Sequence, residues 1–307
     1  MTPKVALVTG GNRGLGFGFV EVLADGLGPN GTVYLGARDL NKGREAADRL
    51  RNTGRQVSVL EIDISDDRSV AEAAETLRDR HGGVDILIGN AALTRASYGP
   101  ADAYIHTNNL GTHSLIRRFS PILKDGARFL IVASCHGVLT GAPGRRKGRT
   151  AAEEAALRAE NRRKMQEDPS LTISAAIRDR MIGEKATLDD IEAALAEFCA
   201  LRNGGTAVEH GWPEWLNKAS KFGQIAATVV FARQMEEEAR RRDILINVCC
   251  PGLVATEATA DGFYGDLSQA FTPHEAAENL TWIVTQPPGV MEPYGRMLFH
   301  HTVEAVY

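Results

Sequence analysis

The chain opens on an unbroken apolar run, Val5 to Val8, that leads into Thr9 and then into glycines at 10, 14 and 16. A short continuous apolar run reads as a strand buried on both faces. Phe17 to Leu27 follows with helix-compatible spacing. The alternation then repeats. Thr32–Ala37, Val57–Ile62, Val84–Ile88 and Arg128–Ala133 read as strands. Between them Asn41–Leu50, Ser65–Arg80 and Ala101–Ile122 read as helices, with Ser65 the predicted N-cap of its helix. Strands and helices alternating at this spacing predict a parallel sheet covered on both faces, a doubly wound α/β fold of Rossmann type. Ligands of such sheets sit just beyond the strand C-termini. Gly10, Arg38, Asp63, Asn90 and Ser134 all fall there.

The alternation breaks between residues 141 and 210. Thr187–Leu201 starts like a capping box, with Asp190 in place of the usual Glu, and continues at helical spacing. The stretch reads as a helical insertion within one domain spanning residues 1–307. At its start, Arg145 to Arg149 (RRKGR) opens a very basic stretch that runs to Lys164. RRKGR reads as a solvated loop, with a phosphate or acidic-partner site as the alternative. Order resumes with a long helix over Pro213–Arg242 and a strand over Ile244–Cys249 ending at Pro251-Gly252. Leu253–Thr272 reads as a loop over the crevice, Pro273–Thr285 as a helix and Gly295–Phe299 as a last strand.

Composition narrows the function little. Of 307 residues, 43% are hydrophobic and 24% charged, ordinary for a soluble globular enzyme. The net charge of −4 gives no pull toward nucleic acid or an anionic membrane. The four cysteines lack metal-ligand spacing, so no metal is expected. No run approaches the roughly 20 apolar residues of a membrane helix. A cytoplasmic protein acting on a small molecule is the expectation.

The glycine turn carries the first chemistry. A strand, a glycine turn and a helix N-terminus form a site for a pyrophosphate, because the first helical amides are unpaired and the helix dipole favours an anion. Arg38 ends the second strand, where the adenosine ribose is discriminated. A guanidinium there suits a 2′-phosphate, and Arg13 adds a second cation, so NADP(H) is expected. Asp39, next along, keeps NAD open. Asp63 suits a contact near the adenine or a cap for the next helix. Asn90-Ala91-Ala92 leaves room for the nicotinamide ribose.

Thr9-Gly10-x-x-x-Gly14-x-Gly16, Asp63, Asn90-Ala91, Asn108, Ser134, Lys221 and Pro251-Gly252 together resemble the short-chain dehydrogenase/reductase family over almost the whole chain. The resemblance is greatest to its monomeric carbonyl reductases, which share TGGNRGLG, a helical insertion before Gly-Trp-Pro, and NVCCPGLVATE. It implies NADP(H) held by Thr9, Gly10, Asn12, Arg13, Gly14, Leu15, Gly16, Arg38, Asp63, Ile64, Asn90, Ala91, Lys221, Pro251, Gly252, Val254 and Thr256. It implies that Ser134 holds a substrate carbonyl, that Asn108 supports a water relaying the proton, and that Lys221 lowers the pKa of a tyrosine four residues earlier. It also implies a monomer, since inserted helices such as Thr187–Leu201 cover the surface through which relatives pair.

The tyrosine position is Asn217, whether counted back from Lys221 or forward from Gly211-Trp212-Pro213. An amide donates a hydrogen bond but cannot deliver a proton as a general acid. Three readings follow. The chain reduces a substrate that needs no protonated oxygen, such as an iminium ion, or uses another acid: His136, His210, Glu214 or Tyr264. It is a non-redox enzyme (a cyclase, dehydratase or isomerase) with NADP(H) bound structurally. Or it is a non-catalytic nucleotide-binding protein. Trp212, Trp215, Phe263 and Tyr264 are candidates for an aromatic wall of the substrate pocket, or for plain packing.

Overall fold

The computed structural model describes residues 3–94, 100–260, 262 and 264–307; Phe263 lies outside them. Its first half alternates strands and helices: β1 (Lys4–Thr9), α1 (Gly14–Leu27), β2 (Gly31–Ala37), α2 (Leu40–Arg51), β3 (Val57–Glu61), α3 (Asp67–His81) and β4 (Val84–Gly89). Then come α4 (Ala101–Ile105), α5 (Gly111–Phe119) and β5 (Leu123–Val132). Three helices, α6 (Ala151–Glu167), α7 (Ala175–Ile182) and α8 (Leu188–Asn203), precede the long α9 (Leu216–Arg242). The chain ends with β6 (Leu245–Cys250), α10 (Pro273–Val284), β7 (Met297–Phe299) and β8 (Thr302–Glu304).

The eight strands form one sheet in the order β3-β2-β1-β4-β5-β6-β7-β8, parallel except for the β7–β8 pair. β1 is buried from Val5 to Thr9, as a central strand covered on both faces must be. The order reverses between β1 and β4, and that switch point opens the crevice between their C-terminal ends. β8 escapes sequence reading because it is three residues long and largely exposed, with no periodicity to detect.

The helices are fixed largely by their caps. Asp39 accepts from the Asn41 and Lys42 amides and starts α2. Asp66, not Ser65, caps α3; the Ser65 hydroxyl instead donates to Asp63. Thr187 and Asp190 form the expected reciprocal capping box of α8. The stretch expected as one helix from Ala101 to Ile122 is interrupted by a π turn at His106–Leu110. Among the described residues no helix is long and apolar enough to cross a membrane.

The first half of α9 is buried without a break from Leu216 to Thr228, including Asn217, Lys218, Ser220, Lys221 and Gln224. Helices α7 and α8 cover it on one side, and β5, β6, α5 and the turn at Cys135–Gly137 also pack against it. Ile191, Ala194, Leu195, Phe198 and Cys199 of α8 turn inward. Glu192 pairs with His113 and Arg117 of α5, both at 2.7 Å. The basic run at 145–149 is not a solvated loop. The Arg145 carbonyl accepts from the Leu253 amide at 2.9 Å, the Lys147 amide donates to Gln269 at 2.8 Å, and Arg145 and Lys147 pair with Glu154 and Glu275. Carboxylates and loop backbone within reach hold it against residues 252–275.

Candidate active site

The glycine turn leads into α1, whose N-terminus has no side-chain cap and no acidic residue in its first turn. Its amides therefore face the crevice without a competing carboxylate. Gly10 takes a φ of +65°, and a Cβ there would lie 3.1 Å from Ala91 Cα. A Cβ on Gly16 would lie 2.2 Å from the Gly10 carbonyl oxygen, so no larger residue fits. The Thr9 hydroxyl accepts from the amides of Asn90 and Ala91, each at 3.0 Å, and Asn90 Nδ2 donates back to the Thr9 carbonyl at 3.0 Å. These bonds lock the ends of β1 and β4 at the switch point.

Arg38 is exposed beyond β2. The Asp39 carboxylate beside it is committed to capping α2. Arg13 pairs at 2.7 Å with Glu257, both side chains being mostly exposed. Arg49 lies over the Phe17 ring, 4.7 Å from its centroid, and with Asn12, Lys42, Glu45 and Ala46 lines an open cleft of about 550 Å³. Asp63 accepts from the Ser65 amide and hydroxyl at 2.9 and 2.7 Å. Ile64 is buried, and Leu15 packs against the core. Thr256 sits over the glycine turn, its Cγ2 3.4 Å from where a Gly14 Cβ would be. Pro251, Gly252 and Val254 follow β6 on the same side. There the Gly252 φ of +76° brings its Cα against the Arg145 carbonyl, and Val254 bridges to Phe271.

Deeper in the crevice, Ser134 follows β5 and its Oγ accepts from the His136 amide at 3.3 Å. His136 Nδ1 lies 3.2 Å from Asn217 Nδ2. The Tyr104 hydroxyl donates to Asn217 Oδ1 at 2.9 Å. With Oδ1 used as acceptor, Nδ2 is the donor toward His136, so Nδ1 is unprotonated and Nε2 carries the imidazole proton. Burial is the main cause that holds His136 below its ordinary pKa, and the nearby Lys218 and Lys221 add to it. The His136 ring packs 4.4 Å from Trp215 and stacks 6.2 Å from Tyr264.

Asn108 lies in the π turn. Its side chain clasps Leu93, accepting from the amide at 2.7 Å and donating to the carbonyl at 3.1 Å. Its main-chain carbonyl accepts from the Thr112 hydroxyl at 2.7 Å and from Gln224 Nε2 at 3.2 Å. Lys221 Nζ donates to Gln224 Oε1 at 2.7 Å. The Gln224 amide thus spans the gap between the lysine and the asparagine carbonyl. Lys221 is 9% exposed, and burial pushes its ammonium down to about 8.

The structure therefore brings Ser134, His136 and Asn217 together, with Lys221 and Asn108 behind them. His210 is exposed and bonded to the Thr206 carbonyl at 2.9 Å, and Glu214 is exposed. Neither joins the cluster. Trp212 is fully buried against Phe198, 5.0 Å away, and belongs to the core rather than to a pocket wall. Three residues of the cluster carried no role in the sequence reading: Tyr104, Gln224 and Lys218. Gln224 lies three residues after Lys221, one helical turn on, and that spacing was the available signal.

Residues 4–144 match the family model for short chain dehydrogenases. Carbonyl reductase (NADPH) 1 of Rattus norvegicus is 27% identical over 306 residues, covering 98% of this chain and 97% of that protein. Two solved structures share the fold at 23% identity and a TM-score of 0.70. They are salutaridine reductase from Papaver somniferum, covering 96% of this chain and 99% of that one, and menthone neomenthol reductase from Mentha piperita, covering 98% and 99%. The chain is thus similar to short chain dehydrogenases over residues 4–144 and to a carbonyl reductase over nearly its whole length.

Proposed function

We propose that this protein is an NADPH-dependent carbonyl reductase in which a neutral imidazole, fixed by Asn217, takes the place of the expected tyrosine. The observation that carries this is the hydrogen-bonded series Tyr104–Asn217–His136, which leaves the proton on His136 Nε2, while the His136 main-chain amide binds Ser134 Oγ. The dinucleotide supplies the hydride when bound. The Ser134 hydroxyl and His136 Nε2–H then hold the carbonyl oxygen as charge develops on it. The oxygen takes its proton from solvent. A neutral imidazole serves as hydrogen-bond donor rather than acid when its pKa is held low. Loss of a positioned acid costs about 10²–10⁴-fold in rate, so slow turnover is expected.

NADP(H) is supported by Arg38, by the engagement of Asp39 as a helix cap, and by the charge of Arg13, Lys42 and Arg49 around the cleft. The Arg13–Glu257 pair is exposed and worth at most about 1 kcal/mol, so a 2′-phosphate can displace the carboxylate. Thr9, Gly10, Asn12, Gly14, Leu15 and Gly16 would cradle the pyrophosphate. Asp63 and Ile64 would meet the adenine. Asn90, Ala91, Lys221, Pro251, Gly252, Val254 and Thr256 would meet the nicotinamide half. A carbonyl substrate is favoured over an iminium ion because two buried lysines, Lys218 and Lys221, already place positive charge at the site. The cover of α7 and α8 over α9 supports a monomer, with the inserted helices part of one folded unit.

The test is NADPH oxidation with a panel of aldehydes, ketones and cyclic iminium ions. Slow oxidation with aldehydes or ketones supports the reading. NADPH binding without any turnover across the panel overturns it.

A further inference from the structure

Lys218 follows Asn217 in the first turn of α9 and is 7% exposed. Its ammonium makes no hydrogen bond and no ion pair among the described residues. Burial pushes it down to about 8, opposed only by the Cys135 thiol. Its side chain is buried but Nζ is not among the fully enclosed unpartnered atoms, so the ammonium keeps a solvent-facing side that an anion can reach, and charges this buried are normally paired. Its field reaches both His136 and Cys135. Lys218 therefore shares the crevice with Ser134 and His136.

Of the surrounding groups only the Cys135 thiol, itself drawn down, offsets its charge. Lys221 adds a second positive charge and bonds only a neutral amide. Arg149, from the basic run, is pushed down by burial and then by Arg146, so a further cation lies close by. Glu153 is taken up by the cap at Thr150, and Glu154 by Arg145. The Cys135 thiol is drawn down first by a hydrogen bond from Cys250, which is its near neighbour. Cys249 is raised by burial, and Cys250 first by its hydrogen bond with Cys135 and then by burial, so both stay neutral.

We infer that Lys218 anchors a carboxylate of the substrate, so that the protein acts on an aldehyde or ketone that carries its own carboxylic acid. The anion must be ionised while Lys218 keeps its proton. A carboxylate meets that condition from about pH 4 upward, whereas a phenol ionises only near about 10. One charge matches the one ammonium without a hydrogen-bond partner, because Lys221 bonds Gln224, Arg149 bonds the Gly144 carbonyl, and Arg145 and Lys147 are paired with Glu154 and Glu275. The carbonyl half of this inference rests on the reductase reading; the anion site does not.

The test uses the full chain with NADPH. Turnover is measured with 4-formylbenzoate and with its methyl ester, in the wild type and in Lys218→Met and Lys218→Arg. Binding of benzoate and of methyl benzoate is measured separately, by the change in fluorescence of bound NADPH. A charge-assisted hydrogen bond is expected to give about 10- to 100-fold preference for the acid. Lys218→Met should remove that preference and weaken benzoate binding by a similar factor, and Lys218→Arg should restore part of both. Benzoate binding that is equal in the wild type and in Lys218→Met overturns the inference, whatever the turnover. If Cys135 were the sole counter-charge, Cys135→Ser would abolish the effect of Lys218→Met on benzoate, which also overturns it. Lysine-dependent benzoate binding without any carbonyl reduction would sustain the anion site and sink the reductase reading instead.

Discussion

Asn217 Nδ2 and His136 Nδ1 stand 3.2 Å apart, while Asn217 Oδ1 faces away from the ring and accepts from the Tyr104 hydroxyl at 2.9 Å. The amide therefore donates to the imidazole. An imidazolium would set two N–H groups against each other, which adds to the burial that holds His136 below its ordinary pKa. A carboxylate at 217 would reverse this by accepting from Nδ1–H. Asn217→Asp is expected to raise the His136 pKa and make the ring a true acid. Its kcat with a ketone should exceed wild type, by up to about 10²-fold, and fall as pH rises through the new pKa. The wild-type kcat should stay level around pH 7, below the window in which Lys218 and Lys221 titrate. Identical pH profiles for the two proteins would refute the role given to the pair.

Gln224 fills the gap between Lys221 and the Asn108 carbonyl with an amide, which bonds to both but does not pass a proton as water does. Restoring the acid alone is then insufficient. Asn217→Tyr should recover ketone reduction only partly, and Asn217→Tyr with Gln224→Ala should recover more than the two single changes combined. Steady-state rates of the four proteins with one ketone form the cycle. Additive effects would show that the amide does not block a relay.

The fold was legible where the chain repeats a physical pattern. The β1 run and the glycine turn were readable because a buried parallel strand is continuously apolar and the turn tolerates no Cβ at Gly16. The α8 capping box was readable because its bonds are local. The Ser65 cap was misplaced by one residue, because Asp66 competes for the same amides. The contents of the site were less legible. Nothing in sequence spacing brings Tyr104 to Asn217 across 113 residues, and the docking of the basic run depends on carboxylates in α6 and α10. His136 was only one of four candidate acids until its distance to Asn217 was known.

Arg38 and Asp39 make separable predictions about the dinucleotide. Arg38→Ala should raise the KM for NADPH by about 10- to 100-fold, the worth of a charge-assisted bond to phosphate, and leave that for NADH nearly unchanged. Asp39→Ala should cost about 1 kcal/mol of stability through the lost α2 cap, without altering the preference between the two dinucleotides. Initial rates with each dinucleotide and thermal melts check both. A loss of NADH use in Asp39→Ala would assign that carboxylate to the ribose instead.

Lys218 ties the site to the stability of the whole protein. Its pKa lies at about 8 in the folded chain, against an ordinary 10.5. Between those values the unfolded chain binds the proton and the folded chain does not, so stability from this group rises with pH across that window. Below about pH 8 the folded protein carries the full cost of the buried charge, about 3 kcal/mol as an upper bound. Lys218→Met removes that cost. The variant should melt above wild type at pH 7, and the gap should close as pH approaches 10. Lys221 and the raised thiols of Cys199 and Cys249 also titrate in alkali, but they are present in both proteins and cancel in the difference. A carboxylate seated on Lys218 should narrow the same gap at pH 7, because it stabilises only the wild type. Paired melts at pH 7 and 10, with and without benzoate, read all four quantities. A gap that does not change with pH would show that Lys218 is not a buried cation.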